Sequence, residues 1–204
     1  MSKLAIGVMA SGRGSNLQSI LDAIEQGSVP ARVCVVITDK PEAKALERAK
    51  TAGIPAICVN RKEYSTKEAF EQALIETLQA HGVELVVLAG FMRILSPVFV
   101  HAFKDCILNI HPSILPSFPG ADAHSLVLAY GAKVSGCTVH FVDEGTDSGP
   151  IILQATVPVM DDDDHDSLAA RVLVEEHKIY PEAIRLYAEG RLSIEGRKVR
   201  INRD

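Results

Sequence analysis

Short apolar runs alternate with amphipathic segments along the first half of the chain. Leu4–Met9 is almost continuously apolar and predicts a buried strand. Ser15–Gln26 puts Leu17, Ile20, Leu21 and Ile24 on one helical face, and Gly27 lies just past its end. Val33–Thr38 is β-branched and predicts a second strand. Pro41 then opens a helix that Gly53 closes, the usual polarity of proline and glycine at helix ends. Ile54–Val59 predicts a third strand. Ser65 and Glu68 make a capping box for a helix striped by Phe70, Leu74 and Leu78 and ended by Gly82. Glu84–Ala89 predicts a fourth strand, and Ser96-Pro97 caps a further helix.

The second half reads differently. Cys106–Ile110 predicts a short strand, followed by a proline-rich loop through Gly120. Val134–Val142 and Ile151–Val159 are longer β-rich runs separated by Asp143–Pro150. Asp166–Glu189 predicts one long helix with a stripe of Leu168, Val172, Ile179, Ala183 and Tyr187. Leu192–Ile201 alternates around Glu195-Gly196, as a closing hairpin does. Strand–helix alternation with continuously apolar strands implies an α/β fold: a Rossmann-like, mostly parallel sheet with helices on both faces. The expectation is one domain over 1–204, with an N-terminal half of about 1–103 and a C-terminal half of about 104–204.

Composition narrows the function classes. The 204 residues are 47% hydrophobic and 23% charged, the profile of an ordinary folded chain, and the net charge is −5. Such a chain has no global field for nucleic acid or an anionic membrane surface. No apolar run reaches a membrane span, and Met1–Gly7 carries no signal-peptide pattern. Cys34, Cys58, Cys106 and Cys137 lack metal-ligand spacing, so reduced thiols in the cytoplasm and no metal are expected. The run Asp161–Asp166 precedes the long helix, where acids complement the helix dipole, and reads as a solvated turn.

Ligands of parallel sheets bind beyond the carboxyl ends of the strands, so the chemistry is sought there. Ser11-Gly12-Arg13-Gly14-Ser15-Asn16 follows the first strand and opens a helix, which suits a phosphate. It lacks the third glycine of a dinucleotide fingerprint, because Leu17 stands there. Arg93 lies among apolar residues in Gly90–Leu95, after the fourth strand. Asn109 and His111 are two residues apart and share one face of a strand end, with Pro112 stiffening the backbone directly after them. A carboxamide donor beside an imidazole suits acyl chemistry: one steadies an oxyanion while the other moves a proton. Asp147, in the loop between the β-rich runs, is a carboxylate for His111 that would favour the imidazolium. Glu176 falls inside the apolar stripe of the long helix and needs a polar partner there.

These segments, taken in order, resemble the folate-dependent formyltransferase family on its glycinamide ribonucleotide branch. The residues that carry the resemblance are Ser11–Leu17, Gly90–Leu95, Asn109-Ile110-His111-Pro112-Ser113-Ile114-Leu115-Pro116 and Asp147–Pro150. The resemblance implies formyl transfer from 10-formyltetrahydrofolate, as co-substrate, to the amine of glycinamide ribonucleotide in purine biosynthesis. It implies catalytic roles for Asn109, His111 and Asp147, with His140 supporting Asp147. Ribonucleotide contacts fall to Gly14, Ser15 and Asn16 and to Leu173, Val174, Glu175 and Glu176. Folate contacts fall to Lys67, to Met92, Arg93, Ile94 and Leu95, to Asn109, and to Asp143, Glu144, Gly145, Thr146 and Asp147. Lys67 stands where the family has an arginine and so keeps the charge without the bidentate fork. The length leaves no room for the extra domains of tRNA formyltransferases or formyltetrahydrofolate deformylases. The partners expected are two small molecules, with no nucleic acid and no membrane, for a monomer or homodimer. The competing readings are a 10-formyltetrahydrofolate hydrolase, a transferase with another amine acceptor, a non-catalytic nucleotide-binding module, and a dinucleotide oxidoreductase using Asp39 as its ribose acid.

Overall fold

The computed structural model describes residues 3–202. Met1, Ser2, Arg203 and Asp204, the ends of the expected single-domain span, lie outside the described residues. The chain divides into two compact units, Met1–Leu108 and Asn109–Asp204.

The first unit alternates β1 (Leu4–Ala10), α1 (Ser15–Glu25), β2 (Ala31–Thr38), α2 (Lys44–Thr51), β3 (Ala56–Cys58), α3 (Lys67–Ala80), β4 (Leu85–Leu88) and α4 (Pro97–Ala102). Its strands run in the order β3-β2-β1-β4 and pair in parallel. Apolar runs bury on both faces here: Ile6, Val8, Met9, Val36, Ile37, Leu85 and Val86 are closed to solvent. Leu17, Ile20, Leu74 and Leu78 seal the helices against them, each such side chain contributing about 1.5–3 kcal/mol by burial.

β5 (Ile107–His111) begins in the first unit and ends in the second. The second unit continues with α5 (Ala123–Tyr130), β6 (Val134–Phe141), β7 (Ile151–Pro158), α6 (His165–Ala188), β8 (Leu192–Glu195) and β9 (Lys198–Ile201). Its strand order is β5-β6-β7-β9-β8, with β6/β7 and β8/β9 antiparallel and β7/β9 parallel. The α/β architecture expected from the pattern is present.

Local differences have local causes. The cap of α3 is Thr66, whose hydroxyl accepts the Ala69 N–H at 3.1 Å, and not Ser65. α2 starts three residues after Pro41. The third strand shrinks to three residues. α5 has no amphipathic signature, because its residues are apolar on several sides, and the sequence pattern did not reveal it. On α6 the buried stripe is Leu168, Val172, Glu176, Tyr180, Ala183 and Ile184, so Tyr180 and Ile184 take the places expected of Ile179 and Tyr187. The acidic run is built rather than merely solvated. Asp164 caps α6 in a reciprocal pair with Ser167, and Asp163 forms a bidentate ion pair with Arg171 at 2.6 and 2.8 Å.

Candidate active site

In the first unit, three segments leave the carboxyl ends of β1, β2 and β4 and are tied together. The Ser11 N–H donates to the Gly90 carbonyl at 3.0 Å, and the Ser11 hydroxyl accepts the Met92 N–H at 3.0 Å. Gly14 is the N-cap of α1, with φ 70° and ψ 29°, and no side chain caps the helix. A Cβ there would lie 3.0 Å from both Cα and Cβ of Ala45 on α2, so the position needs glycine for conformation and for space. Ser15 and Asn16 therefore open a helix whose N-cap residue supplies no side-chain acceptor, an arrangement that suits an anion.

Lys67, Met92, Arg93, Ile94 and Leu95 come together around a hollow of about 390 Å³ with Arg61, Phe70 and Glu71. Glu71 forms its floor and is 3% exposed. It accepts the Ser96 N–H at 2.9 Å and the Ser96 hydroxyl, and Lys67 Nζ lies 3.7 Å away. Arg93 Cζ lies 5.6 Å from the centre of the Phe70 ring, within cation–π range. Arg93 Nε donates to Asp39 Oδ2 at 2.5 Å. Asp39 is thus buried and engaged, which removes it as the ribose acid of a dinucleotide site. A larger hollow of about 800 Å³ in this unit lies against α1 and α2 and is lined by none of the expected site residues.

In the second unit, Asn109, His111, His140 and Asp147 converge. His111 and His140 are 5% and 2% exposed, so their hydrogen-bond partners fix their tautomers. His140 Nδ1 lies 2.7 Å from the Phe141 carbonyl, which can only accept, so Nδ1 carries the hydrogen. Its Nε2 is then the acceptor for Asn109 Nδ2 at 3.2 Å. The contact from His140 Nε2 to Asp147 Oδ1 is longer, at 3.7 Å. His140 therefore orients the carboxamide of Asn109 more directly than it supports Asp147.

His111 has an acceptor at each nitrogen. Nε2 faces the Phe118 carbonyl at 2.8 Å, and Nδ1 faces Asp147 Oδ2 at 3.3 Å. A carbonyl and a carboxylate therefore flank the ring, one at each nitrogen. The loop after His111 grips both members of this pair. Its Phe118 carbonyl takes the imidazole, and its Gly120 N–H donates to Asp147 Oδ2 at 2.7 Å. Phe118 holds φ 54°, a strained value for a bulky residue, and the Ser113 hydroxyl supports the turn through the Ser117 carbonyl at 2.6 Å. Burial by itself raises the Asp147 carboxyl. The Gly120 N–H, which donates to Oδ2, and the neighbouring imidazole of His111 outweigh it and hold the group below the usual carboxylate range.

Asp143 shapes the loop that carries Asp147. Its Oδ1 accepts the Gly145 N–H at 3.1 Å and the Ser148 hydroxyl at 2.6 Å, while Glu144 and Thr146 are exposed. Glu176 is 7% exposed on α6, Glu175 pairs with Lys178 at 2.7 Å, Leu173 is half-buried and Val174 faces solvent. Burial, with Glu176 and Glu175 adding to it, pushes the Cys137 thiol up to about 12. None of the four cysteines forms a disulfide, and among the described residues no group of three or more His, Cys, Asp or Glu is placed to hold a metal ion. No described helix is long and apolar enough to cross a membrane. The sequence reading missed the Phe118 carbonyl, the Gly120 N–H and the Asp39–Arg93 bond. The first two are backbone groups with no residue signature.

The formyl transferase family model matches residues 4–184. The chain is 44% identical over 187 residues to phosphoribosylglycinamide formyltransferase of Escherichia coli K12, covering 92% of this chain and 88% of that one. It is 47% identical over 197 residues to the trifunctional purine biosynthetic protein adenosine-3 of Bos taurus, covering 96% of this chain but spanning only 20% of that relative's length. The crystal structure of glycinamide ribonucleotide transformylase 1 from Symbiobacterium toebii superimposes with a TM-score of 0.97 at 55% identity, covering 99% of this chain and 95% of that one. The chain belongs to the formyl transferase family.

Proposed function

We propose that the protein transfers the formyl group of 10-formyltetrahydrofolate to the amine of glycinamide ribonucleotide, a step of de novo purine biosynthesis. The observation that carries this reading is the cluster of Asn109, His111 and Asp147, in which a carboxamide donor stands beside an imidazole with an acceptor at both nitrogens. The acceptor amine attacks the formyl carbon and forms a C–N bond, while the carbonyl π pair moves to oxygen. The free N–H of Asn109 and an N–H of His111 stabilise that oxyanion. For Nε2–H to serve, the Phe118 carbonyl gives up its bond to the ring. A proton passes from the new ammonium centre to N10 of the folate, the C–N10 bond breaks, and formylglycinamide ribonucleotide and tetrahydrofolate leave. The Asp147 carboxylate, beside Nδ1, complements positive charge on the ring during the transfer.

The remaining contacts fit the same reading. Gly14, Ser15 and Asn16 hold the ribonucleotide phosphate at the α1 N-terminus, and Leu173 to Glu176 contact the same substrate. Lys67, Met92 to Leu95, Asn109 and Asp143 to Asp147 contact the folate. The chemistry requires no metal, and four cysteines outside any disulfide suit a reducing, cytoplasmic setting. The test is deformylation of a 10-formyl folate followed by absorbance, with and without glycinamide ribonucleotide. Release that depends on the ribonucleotide supports the transferase. Release without it points to a hydrolase or to another amine acceptor.

A further inference from the structure

We infer that Asp39 is a positioning residue for Arg93, fixing which edge of the guanidinium meets the folate. The inference rests on the reading of Arg93 as a folate contact. The two residues come from different post-strand segments. Asp39 follows β2 and Arg93 follows β4. The Asp39 side chain is 1% exposed and that of Arg93 is 37% exposed, so the pair has a buried end and an open end.

The geometry is specific. The carboxylate takes Nε, at 2.5 Å, and not the terminal nitrogens. An arginine has five N–H bonds in a rigid plane, and its outer edge binds carboxylates in a bidentate fork. With Nε held, the plane is fixed and Nη1 and Nη2 remain for a ligand. The Phe70 ring, 5.6 Å from Cζ, fixes the plane from a second direction. Arg61 and Lys67 line the same hollow, so an anionic or carbonyl-rich part of the ligand is the group favoured there.

The carboxylate is a poor choice for stability alone. Asp39 Oδ1 is buried and has no hydrogen-bond partner among the described residues. A buried charge with one oxygen unsatisfied costs free energy that a neutral or apolar residue would avoid. A purely structural Asp39 would give variants that change the melting temperature and leave substrate affinity alone. A positioning residue instead changes KM for one substrate and leaves kcat in place.

The experiment compares steady-state kinetics of Asp39→Ala, Asp39→Asn, Arg93→Ala and Arg93→Lys in the whole protein. The readouts are KM for 10-formyltetrahydrofolate, KM for glycinamide ribonucleotide, and kcat. Asp39→Ala should raise the folate KM about tenfold, the scale of one charge-assisted hydrogen bond. The ribonucleotide KM and kcat should stay within about twofold, since neither substrate's reacting atoms are touched. Asp39→Asn retains an acceptor for Nε–H and should return the folate KM to within about threefold of wild type. An Asp39→Asn value as high as that of Asp39→Ala overturns the orientation argument. A wild-type folate KM in Asp39→Ala, with a raised one in Arg93→Ala, overturns the proposal and leaves the folate contact standing. A wild-type folate KM in Arg93→Ala overturns the folate reading of Arg93 and the proposal with it. If Asp39→Ala does not fold, Arg93→Lys decides: it keeps the charge and loses the fork, so its folate KM should match that of Arg93→Ala, and a wild-type value overturns the proposal.

Discussion

Replacing Asn109 with alanine separates its chemistry from its packing. Its Nδ2 lies 3.2 Å from Nε2 of His140, whose Nδ1–H is committed to the Phe141 carbonyl at 2.7 Å. One N–H of the carboxamide is therefore used internally and the other is left for an oxyanion. Alanine removes that donor, which costs about 10²–10³ in kcat, or about 2.7–4 kcal/mol of transition-state stabilisation. It also strips the buried His140 Nε2 of its donor, a stability cost of about 1–3 kcal/mol. For a chain of this size each kcal/mol lowers the melting temperature by roughly 2–4 °C, so the variant stays folded at assay temperature. The assay is acceptor-dependent deformylation at saturating concentrations of both substrates, with thermal melts as the folding control. Asn109→Asp, which keeps the shape and lacks the N–H donors, should lose at least as much. A folded Asn109→Ala with kcat within about threefold of wild type would remove the carboxamide from the mechanism.

The remaining predictions concern charge, backbone and capping. The Asp147 carboxyl is held below its usual range, so its stabilising contribution is present above the unfolded value of about 3.9 and is lost as pH falls through the lower folded value. Asp147→Asn should lack that part of the acid-denaturation curve and lose at least about 10²-fold in turnover at neutral pH. A variant with the wild-type acid profile and turnover would separate Asp147 from His111. Gly14→Ala meets φ 70° and a 3.0 Å approach of Ala45, so it should cost at least about 1–2 kcal/mol and raise KM for the ribonucleotide more than for the folate. Equal effects on the two KM values would count against a phosphate at this helix. Asp164→Ala removes the α6 cap and should cost about 0.5–2 kcal/mol without changing kcat, read by denaturant unfolding.

The legible part of the fold was the part with period and polarity. Continuous apolar runs gave β1, β2 and β4, and the 3.6-residue spacing of Leu168, Val172 and Glu176 placed a carboxylate on the buried face of α6, where it is found. α5 was not legible, because its eight residues are apolar on several sides and give no single stripe. The cap expected at Ser65 falls on Thr66, since adjacent hydroxyls carry the same signal and only the chain's path chooses between them. In the candidate site, Asn109, His111 and Asp147 were legible because their chemistry is in their side chains. The two groups that complete the pair, the Phe118 carbonyl and the Gly120 N–H, belong to the backbone, and any residue at those positions supplies them. The partner of Arg93 was hidden for a different reason. Asp39 is 54 residues away in sequence, and only the parallel order of β2, β1 and β4 brings the two segments to one edge.

The most direct measurement tracks the formyl carbon itself. 10-Formyltetrahydrofolate labelled with ¹³C in the formyl group is incubated with the protein and glycinamide ribonucleotide, and the products are resolved by NMR and mass. The account predicts that the label arrives in the amide of formylglycinamide ribonucleotide, one label per tetrahydrofolate released, and that His111→Ala abolishes the transfer. Label appearing as formate, with the ribonucleotide unchanged, would contradict it.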